Sequence, residues 1–335
     1  MAGSSREGAS PIRVALVGTG AWGRQHARVL AAHPDVAFVA VAGRDPGRAA
    51  ERAAAFGVRP YTDVGEMLRR ERPDLVSVCL PNEAHGPTTL GILRAGYPVL
   101  AEKPLAFRMD EADAMLGEAE RRGLFFAINF NHRYARPVRM AREAIEGGRC
   151  GEVVFASWRF GGEGRSLHPY ANLIETQCHG IDMLEHLCGP IASVAAEMTD
   201  RTGGGYRTLV LALRFASGAV GSLLGTYDAS YAYRGTHLLE VGGTLGRVLV
   251  EDTVRRFSFQ AAGNETALVW EAGYFNDRER AFEHTFDAHL DALLGAFRRG
   301  EPPPVHARAG RRALEVALAA IRAFETGRRV GVPPG

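Results

Sequence analysis

"IRVALVGTGAWGRQHARVLAAHP", residues 12–34, joins a β-branched apolar run, a glycine-rich turn and a segment with apolar residues at helical spacing. The turn contains Gly18, Gly20 and Gly23 in a GxGxxG pattern. In a dinucleotide-binding fold these glycines make the tight turn, admit the pyrophosphate and let the helix pack closely on the strand. The helix N-terminus then offers N–H groups and a positive dipole end to phosphates. We therefore predict a dinucleotide site here; the alternative is a glycine turn without a ligand.

A second strand, residues 36–43, ends about 20 residues further on, where an Asp or Glu would bind the ribose 2′-hydroxyl of NAD. The strand tip is small and neutral, and Arg44 follows it. Because an arginine at this place accommodates the 2′-phosphate of NADP, the sequence favours NADP. Asp45 leaves NAD open, and a solvated loop charge is the alternative role for Arg44.

The alternation of strands and helices continues, with strand-like runs at 75–81 and 98–104 and a helix-length segment at 83–96. This alternation predicts an α/β fold with a doubly wound parallel sheet. Ligands of such sheets bind beyond the carboxyl ends of the strands. The further cofactor contacts predicted on this basis are Ala21, Trp22, Leu80, Pro81, Asn82, His85, Glu102 and Lys103.

Lys103 is the single lysine among the 40 lysine and arginine residues of the chain. An ammonium is a compact point donor, whereas a guanidinium is a planar fork. Pro104 restricts Lys103 to extended conformations and so helps to fix its direction. Lys103 falls where the reactive ring of a cofactor would lie, and we therefore treat it as a candidate catalytic donor. The alternative is that the position of one lysine carries no meaning.

The composition excludes several classes of function. The chain has 335 residues, enough for two domains, and its net charge is only +2, which argues against nucleic acid and anionic membranes as partners. No apolar run reaches the roughly 20 residues of a membrane span, and the N-terminus lacks the apolar segment of a signal peptide, so we expect a cytoplasmic protein. The four cysteines show no CxxC spacing, and we expect neither disulfides nor a metal site.

The second half of the chain has the pattern of strands with few helices. Strand-like segments recur at 152–160, 208–215, 219–227 and 237–243, and one clear helix, at 174–188, interrupts them early. Several of the strands alternate apolar and polar residues, as in a sheet with one solvated or interface face. This pattern predicts an α+β domain with a mostly antiparallel sheet.

The first strand, the "GTGAWG" turn, "PNEAH" and "AEKP", in this order and at these spacings, resemble the Gfo/Idh/MocA family of NAD(P)-dependent oxidoreductases. The likeness continues through "INFNHRYARP", "ETQCHGIDMLEHLCG" and the tail that begins "GEPPPVHARAG". It implies a Rossmann domain joined to an α/β domain with a large, open, mostly antiparallel sheet, commonly used for dimer or tetramer assembly. We accordingly expect a Rossmann domain at 1–128, with 1–10 as a disordered lead-in. We place the substrate domain, closed by a C-terminal helix, at 129–335, and expect a homodimer or homotetramer through its sheet.

Three polar residues follow one another at helical spacing in the segment 174–188. Glu175 and His179 are four residues apart and Asp182 lies three further on, so all three project from roughly one face of a continuous helix. A lone histidine there could be a structural hydrogen-bonding group, but the resemblance implies a catalytic His at 179 and an acid at 175. The commoner family residue at 175 is Asp, and we assign Glu175 to orienting Lys103, His179 or substrate. Asp182 is expected to be structural.

Alcohol oxidation defines what these residues would do. As hydride leaves a carbinol carbon, the hydroxyl must lose its proton, and a histidine with an ordinary pKa of about 6.5 is suited to accept it. Lys103 would donate a hydrogen bond to the same oxygen and stabilise developing alkoxide charge. The sequence therefore predicts hydride transfer between a nicotinamide and a secondary alcohol or ketone.

Aromatic faces combined with amides and charged donors suit a hydroxylated ring, so we expect a sugar, amino sugar or cyclic polyol as substrate. The candidate contacts are Asn131, Arg133, Trp158, His168, Asn172 and Tyr233, and the loop at 161–172 is either an adjustable substrate loop or an ordinary surface loop. Two other functions stay open. An NAD-dependent lyase or glycosidase with transient oxidation would need no added cofactor, and a non-catalytic dinucleotide sensor would not need both Lys103 and His179.

Overall fold

The computed structural model describes residues 10–164 and 168–334, and the chain divides into two compact units. The first unit contains the chain up to Leu105 together with Asp110–Asn129 and His289–Ala307. The second contains Ala106–Met109, Phe130–Ala288 and the chain from Arg308 onward. A single boundary after residue 128, as expected from the sequence, does not represent the later segment that belongs to the first unit. The expected lead-in, except for its last residue, and residues 165–167 of the expected substrate loop lie outside the described residues.

The first unit alternates strands and helices in the order expected from the sequence. Its elements are β1 (Ile12–Val17), α1 (Ala21–Ala32), β2 (Val36–Ala42), α2 (Pro46–Phe56), β3 (Arg59–Tyr61), α3 (Val64–Glu71), β4 (Leu75–Val78), α4 (Asn82–Arg94), β5 (Val99–Ala101), α5 (Met109–Arg122) and β6 (Phe126–Ile128). The six strands form one sheet in the order β3-β2-β1-β4-β5-β6, and every pairing is parallel. The predicted doubly wound parallel sheet is thus confirmed.

The apolar sequence of the central strands explains this arrangement. All four residues of β4 and five of the six in β1 are buried, as expected for strands that helices cover on both faces. Leu16, Ala27, Val41 and Cys79 form one core cluster there. The strand order reverses between β1 and β4, and ligands of open α/β sheets bind beyond the strand ends at such a reversal.

The second unit is built on a larger sheet. Its elements are a 3₁₀ turn (Asn131–Tyr134), α6 (Arg136–Glu146), β7 (Val153–Gly161), a π-helical turn (Asn172–Thr176), α7 (Cys178–Cys188), β8 (Ile191–Thr199), β9 (Thr208–Phe215), β10 (Val220–Thr226), β11 (His237–Gly243), β12 (Gly246–Glu251), β13 (Arg256–Ala261), β14 (Leu268–Glu271), α8 (Asp277–Arg280), α9 (His284–Arg299, most of which belongs to the first unit), α10 (Arg308–Thr326) and β15 (Val330–Gly331).

The nine strands follow the order β14-β13-β12-β11-β7-β10-β9-β8-β15, and all pairings are antiparallel except β7 with β10. The predicted mostly antiparallel sheet is confirmed, and α10 and β15 supply the closing helix and strand. Among the elements of this unit, α6, α8, α9, β8, β12, β13 and β14 have no counterpart among the sequence predictions. The single helix predicted at 174–188 is wrong in one respect: the backbone N–H of Gln177 bonds to Asn172 O, five residues back, so a π-helical turn precedes α7.

Candidate active site

Close approaches between backbone segments shape the glycine-rich turn. Gly18 has a φ of +128°, and a Cβ at this residue would lie 2.1 Å from Cys79 O. A Cβ on Gly23 would lie 2.2 Å from Gly18 O, so both positions require glycine. At Gly20, by contrast, a Cβ would meet nothing within 4 Å among the described residues. The turn therefore leaves space beside the N-terminus of α1, where Ala21 and Trp22 are exposed, and this cradle fits a dinucleotide pyrophosphate.

The end of β2 presents a different pair of groups. Arg44 is exposed, whereas the carboxylate of Asp45 caps α2 by accepting the backbone N–H of Arg48 at 2.9 Å. A Cβ on Gly43 would lie 2.7 Å from the Thr19 side chain, so the strand tip must stay small. The capping bond gives Asp45 a structural task, because it satisfies one of the unpaired N–H groups at the start of a helix.

The carboxyl ends of β4 and β5 bring together most of the other predicted cofactor contacts of this unit. Pro81 and Asn82 are exposed where α4 begins, and Leu80 is half-buried. His85, in the first turns of α4, is 3% exposed, and its Nε2 has no hydrogen-bond partner within the described chain. Burial lowers the pKa of His85 to about 4 against the opposing charge of Glu102, so the ring is neutral near pH 7. A buried, unbonded nitrogen at this edge of the sheet is suited to a ligand.

Glu102 is engaged by groups of its own unit. Its carboxylate accepts hydrogen bonds from the buried Asn129 side chain at 2.6 Å and from the backbone N–H of Lys103 at 3.1 Å, and it faces His26. Both oxygens are therefore engaged inside the unit, and a contact of this side chain with the cofactor stays a prediction. Lys103 itself is half-buried and joined to Pro104 by a cis peptide bond.

In the second unit, His179 lies near the start of α7 and is 5% exposed. Glu175 belongs to the preceding π-helical turn and is half-buried. The expectation that both project from one face of a continuous α-helix needs correction, because the π-helical turn changes the rotation between them. Glu175 lies near enough to His168 to oppose the lowering of that residue's pKa by burial.

Two rings from the segment before α6 flank His179. The imidazole of His132 stacks on it face to face, with centroids 4.0 Å apart and planes 12° apart, and Phe130 approaches edge-on at 5.8 Å. His132 is itself 3% exposed and contacts the edge of Phe282 at 5.3 Å. His132 was not among the site residues predicted from the sequence, although it lies in the "INFNHRYARP" segment. Its stacking partner, His179, is distant in sequence, so no local sequence pattern indicates the contact.

Two of the predicted substrate contacts instead hold the second unit together. Arg133 forms a two-pronged ion pair with Asp182, with Nε donating to Oδ2 at 2.8 Å. Although burial favours the neutral acid and raises the pKa of Asp182, the arginine opposes this effect. Asn131 is 3% exposed and donates to Thr285 Oγ1 at 2.7 Å. These bonds give Arg133 and Asn131 a structural task, and their contact with substrate stays a prediction. Asp182 has the structural partner that was expected.

Two further candidates are also internal. The Trp158 indole N–H donates to Gln177 Oε1 at 3.2 Å, and a Cβ on Gly180 would lie 2.4 Å from that nitrogen, so α7 packs directly on the ring. Asn172 is 1% exposed, donates to Arg207 O and accepts from Gln177. Both side chains help to position α7 and the π-helical turn, and their contact with substrate stays a prediction.

The remaining two candidates keep accessible surface. His168 is half-buried with its ring against the edge of Phe107 at 4.7 Å, and Tyr233 is 66% exposed. They remain predicted substrate contacts.

The parallel sheet with its glycine cradle and the second mixed sheet define the class of NAD-binding oxidoreductases. Two family models match: "Oxidoreductase family, NAD-binding Rossmann fold" over residues 12–130 and "GFO/IDH/MocA C-terminal domain" over residues 138–249. The chain belongs to the Gfo/Idh/MocA oxidoreductase family. Among its described helices, none is long and apolar enough to cross a membrane.

Relatives and solved structures agree with this assignment. The chain is 30% identical to inositol 2-dehydrogenase 2 of Saccharopolyspora erythraea over 94% of each chain. It is 26% identical to myo-inositol 2-dehydrogenase of Thermotoga maritima, over 95% of this chain and 98% of the relative. The fold matches that of a levoglucosan dehydrogenase in complex with NADH and L-sorbose, with a TM-score of 0.88, 21% identity, and coverage of 98% of this chain and 100% of the other.

Proposed function

We propose that this enzyme transfers a hydride between the nicotinamide of NAD(P) and a secondary alcohol or ketone of a sugar, amino sugar or cyclic polyol. The two inositol dehydrogenases that resemble it over nearly their whole length support this substrate class. The observation that carries the proposal is the place of Lys103: the only lysine of the chain directly follows a buried carboxylate at the ligand-binding edge of a sheet with a dinucleotide cradle.

In this proposal His179 is the proton acceptor and Lys103 is the hydrogen-bond donor to the reacting oxygen. The bound nicotinamide supplies the hydride acceptor. His179 takes the proton from the substrate hydroxyl, since an imidazole suits proton transfer near neutral pH. Lys103 donates a hydrogen bond to the same oxygen and stabilises its developing negative charge, an effect that is strong where water is excluded. Glu175 orients one of these groups or the substrate. His168 and Tyr233 supply ring faces and polar tips for a hydroxylated ring.

NADP is the cofactor that the geometry favours. Asp45 Oδ1 is engaged as the cap of α2 and so competes with binding of the ribose 2′-hydroxyl of NAD, whereas Arg44 is exposed beside it. An exposed arginine can form a charge-assisted contact with a 2′-phosphate.

A homodimer or homotetramer through the second sheet is also part of the proposal. Helices α7 and α10 contact one face of this sheet. The other face carries Phe155, Val210 and Val220, which are 39–50% exposed, and Phe155 and Val220 are partners on neighbouring strands. An exposed apolar patch of this kind is typical of an interface. We expect light scattering to give a multiple of 36.2 kDa and Val220→Glu to lower that mass, whereas a monomeric wild type would contradict the proposal.

A reducing compartment fits the cysteines. Cys79, Cys150, Cys178 and Cys188 are all free thiols, and three of them are buried. Such usage is typical of cytoplasmic proteins, and we propose that location.

The experiment that tests the function is a screen of inositols, sugars and amino sugars for absorbance change at the reduced-nicotinamide band, with NAD and NADP in parallel. We expect turnover of a cyclic polyol or sugar that depends on added cofactor, and faster turnover with NADP. Cleavage or rearrangement of a sugar without added cofactor would instead identify a lyase or glycosidase. Dinucleotide binding without any turnover would indicate a sensor.

A further inference from the structure

A buried polar network in the first unit ends at the backbone of Lys103. Glu102 is 5% exposed, and its Oε1 lies 2.9 Å from His26 Nε2 and 2.6 Å from Asn129 Nδ2. Its Oε2 accepts the backbone N–H of Lys103 at 3.1 Å. The carboxylate therefore ties the proposed catalytic lysine to the interior through three donors.

The network continues on both sides of Glu102. His26, on α1, is completely buried, and its Nδ1 lies 2.8 Å from Ser77 Oγ on β4. On the other side, Asn129 Oδ1 accepts a hydrogen bond from His289 Nδ1 on α9 at 2.6 Å. Side chains from α1, β4 and α9 thus belong to one network, in which His26 and Asn129 contact the carboxylate directly. Hydrogen-bond networks of this kind restrict the side chains that they join.

The central pair is charged. Burial alone would raise the pKa of Glu102, but the hydrogen bond and charge of His26, the charge of Lys103 and the Asn129 bond lower it. Burial alone would lower the pKa of His26, but Cys79 and Glu102 raise it to about 10. Near pH 7 a carboxylate therefore faces an imidazolium, and the pair has no net charge.

Three other titratable side chains face this pair. His85, from α4, is neutral, as described above, and His289 and Cys79 approach from α9 and from the end of β4. The ligating atoms of His26, Cys79 and Glu102 all lie within 4.8 Å of one another, a spacing that a metal ion could use. The hydrogen bonds favour a proton instead, because both ring nitrogens of His26 already face Ser77 and Glu102.

We propose that His26 and Glu102 are positioning residues for Lys103: Glu102 anchors its backbone, and the His26 imidazolium balances the carboxylate so that the ammonium is not held by a bare negative charge. Neither side chain touches the dinucleotide or the substrate in this proposal. It rests on the proposed role of Lys103 as the donor to the reacting oxygen.

The single lysine makes a direct test available. Reductive methylation with ¹³C-formaldehyde labels only Lys103 and the α-amino group of the full-length chain, and the second signal serves as an internal reference. The titration midpoint of the Lys103 resonance is compared in wild type, His26→Gln, Glu102→Gln and the double variant. NADPH affinity and kcat are measured on the unlabelled proteins.

The two changes should act differently. His26→Gln removes the balancing charge but keeps a donor, so the Lys103 midpoint should move to higher pH, because a bare carboxylate favours the ammonium. Glu102→Gln leaves one acceptor oxygen where the carboxylate has two, so it cannot serve His26, Asn129 and the Lys103 N–H together, and kcat should fall by up to about 10²-fold through misplacement of the donor. The double variant should return the midpoint to the wild-type value while kcat stays low. NADPH affinity should stay within about threefold throughout.

Three results would overturn the proposal. If the titration midpoint of the Lys103 resonance is unchanged in folded His26→Gln, His26 does not balance the charge of Glu102. If Glu102→Gln has the wild-type kcat, the Glu102 carboxylate is not needed to position Lys103. Stoichiometric zinc or another transition metal in the purified wild type would mean that the cluster is a metal site. If no sugar or polyol is turned over at all, the proposed function fails, but the resonance and NADPH titrations still decide the positioning role.

Discussion

The glycine turn of the first unit is held by backbone atoms, whereas His179 of the second unit is held by rings. Gly18 and Gly23 pack against backbone of β4 and of the turn itself, and no larger residue fits. His179 is flanked by His132 and Phe130 from the segment before α6. A site made by backbone demands particular residues at fixed spacings. A site made by side-chain packing tolerates many sequences, provided that the rings meet.

The single lysine belongs to the region shaped by backbone, and its replacement should have the largest effect. Lys103→Arg keeps the charge but replaces a point donor with a planar fork. We expect kcat/KM to fall by about 10²–10³-fold, the usual cost of losing a preorganised donor, with dinucleotide affinity nearly unchanged. Steady-state kinetics and NADPH titration check this. An arginine enzyme with more than about a third of wild-type activity would show that the lysine has no special role.

At the end of β2, the side chain of Arg44 and not the backbone would recognise the ligand. Arg44→Ala should weaken NADP by about 1.5–3 kcal/mol, the worth of a hydrogen bond to a charged group, and leave NAD nearly unchanged. Fluorescence titration with both dinucleotides measures this. Equal losses for the two, or a marked wild-type preference for NAD, would make Arg44 an ordinary surface charge.

A substitution at Gly20 tests ligand binding without disturbing the fold. A Cβ at this position meets nothing within 4 Å of the described chain, so Gly20→Ala should leave the melting temperature nearly unchanged while dinucleotide affinity falls at least about tenfold. Gly117→Ala in α5, where a Cβ also has open space, is the matched control. It should stabilise the protein by about 0.5–1 kcal/mol and leave binding intact. Unchanged affinity in Gly20→Ala would mean that no pyrophosphate approaches the turn.

Features shaped by backbone could be predicted from the sequence, whereas features shaped by side-chain packing could not. The glycine turn, the parallel sheet and the place of Lys103 could be predicted because each depends on neighbours in sequence or on a fixed fold rule. Trp158, Asn172, Asn131 and Arg133 were expected at the substrate, and the structure shows that each also bonds to a group inside its own unit. Polarity alone does not reveal whether a side chain meets Gln177, Arg207, Thr285 or Asp182 inside the fold. For the same reason, the sequence did not indicate the stacking of His132 on His179 or the hydrogen-bond network around His26.

Glu175 should show the smallest effect among these changes, because it lies in the π-helical turn and acts through other groups. Glu175→Gln should lower the rate and move the ascending limb of the pH profile to lower pH, because a carboxylate favours the charged form of its neighbours. Glu175→Asp should retain substantial activity. Rate profiles of the two variants test this, and a Gln variant identical to wild type would remove Glu175 from the mechanism.

The most direct test of the account is the pH dependence of kcat/KM for alcohol oxidation in His179→Asn. If His179 accepts the substrate proton, the wild-type rate rises with pH through an apparent pKa that belongs to the coupled group of Lys103, Glu175 and His179, and the variant loses this limb. His186→Asn is the control on the same helix. Burial, together with the positive charges of Arg133 and Arg142, lowers the pKa of His186 to about 3, so its loss should leave the limb in place. An ascending limb that persists unshifted in His179→Asn would show that His179 is not the base.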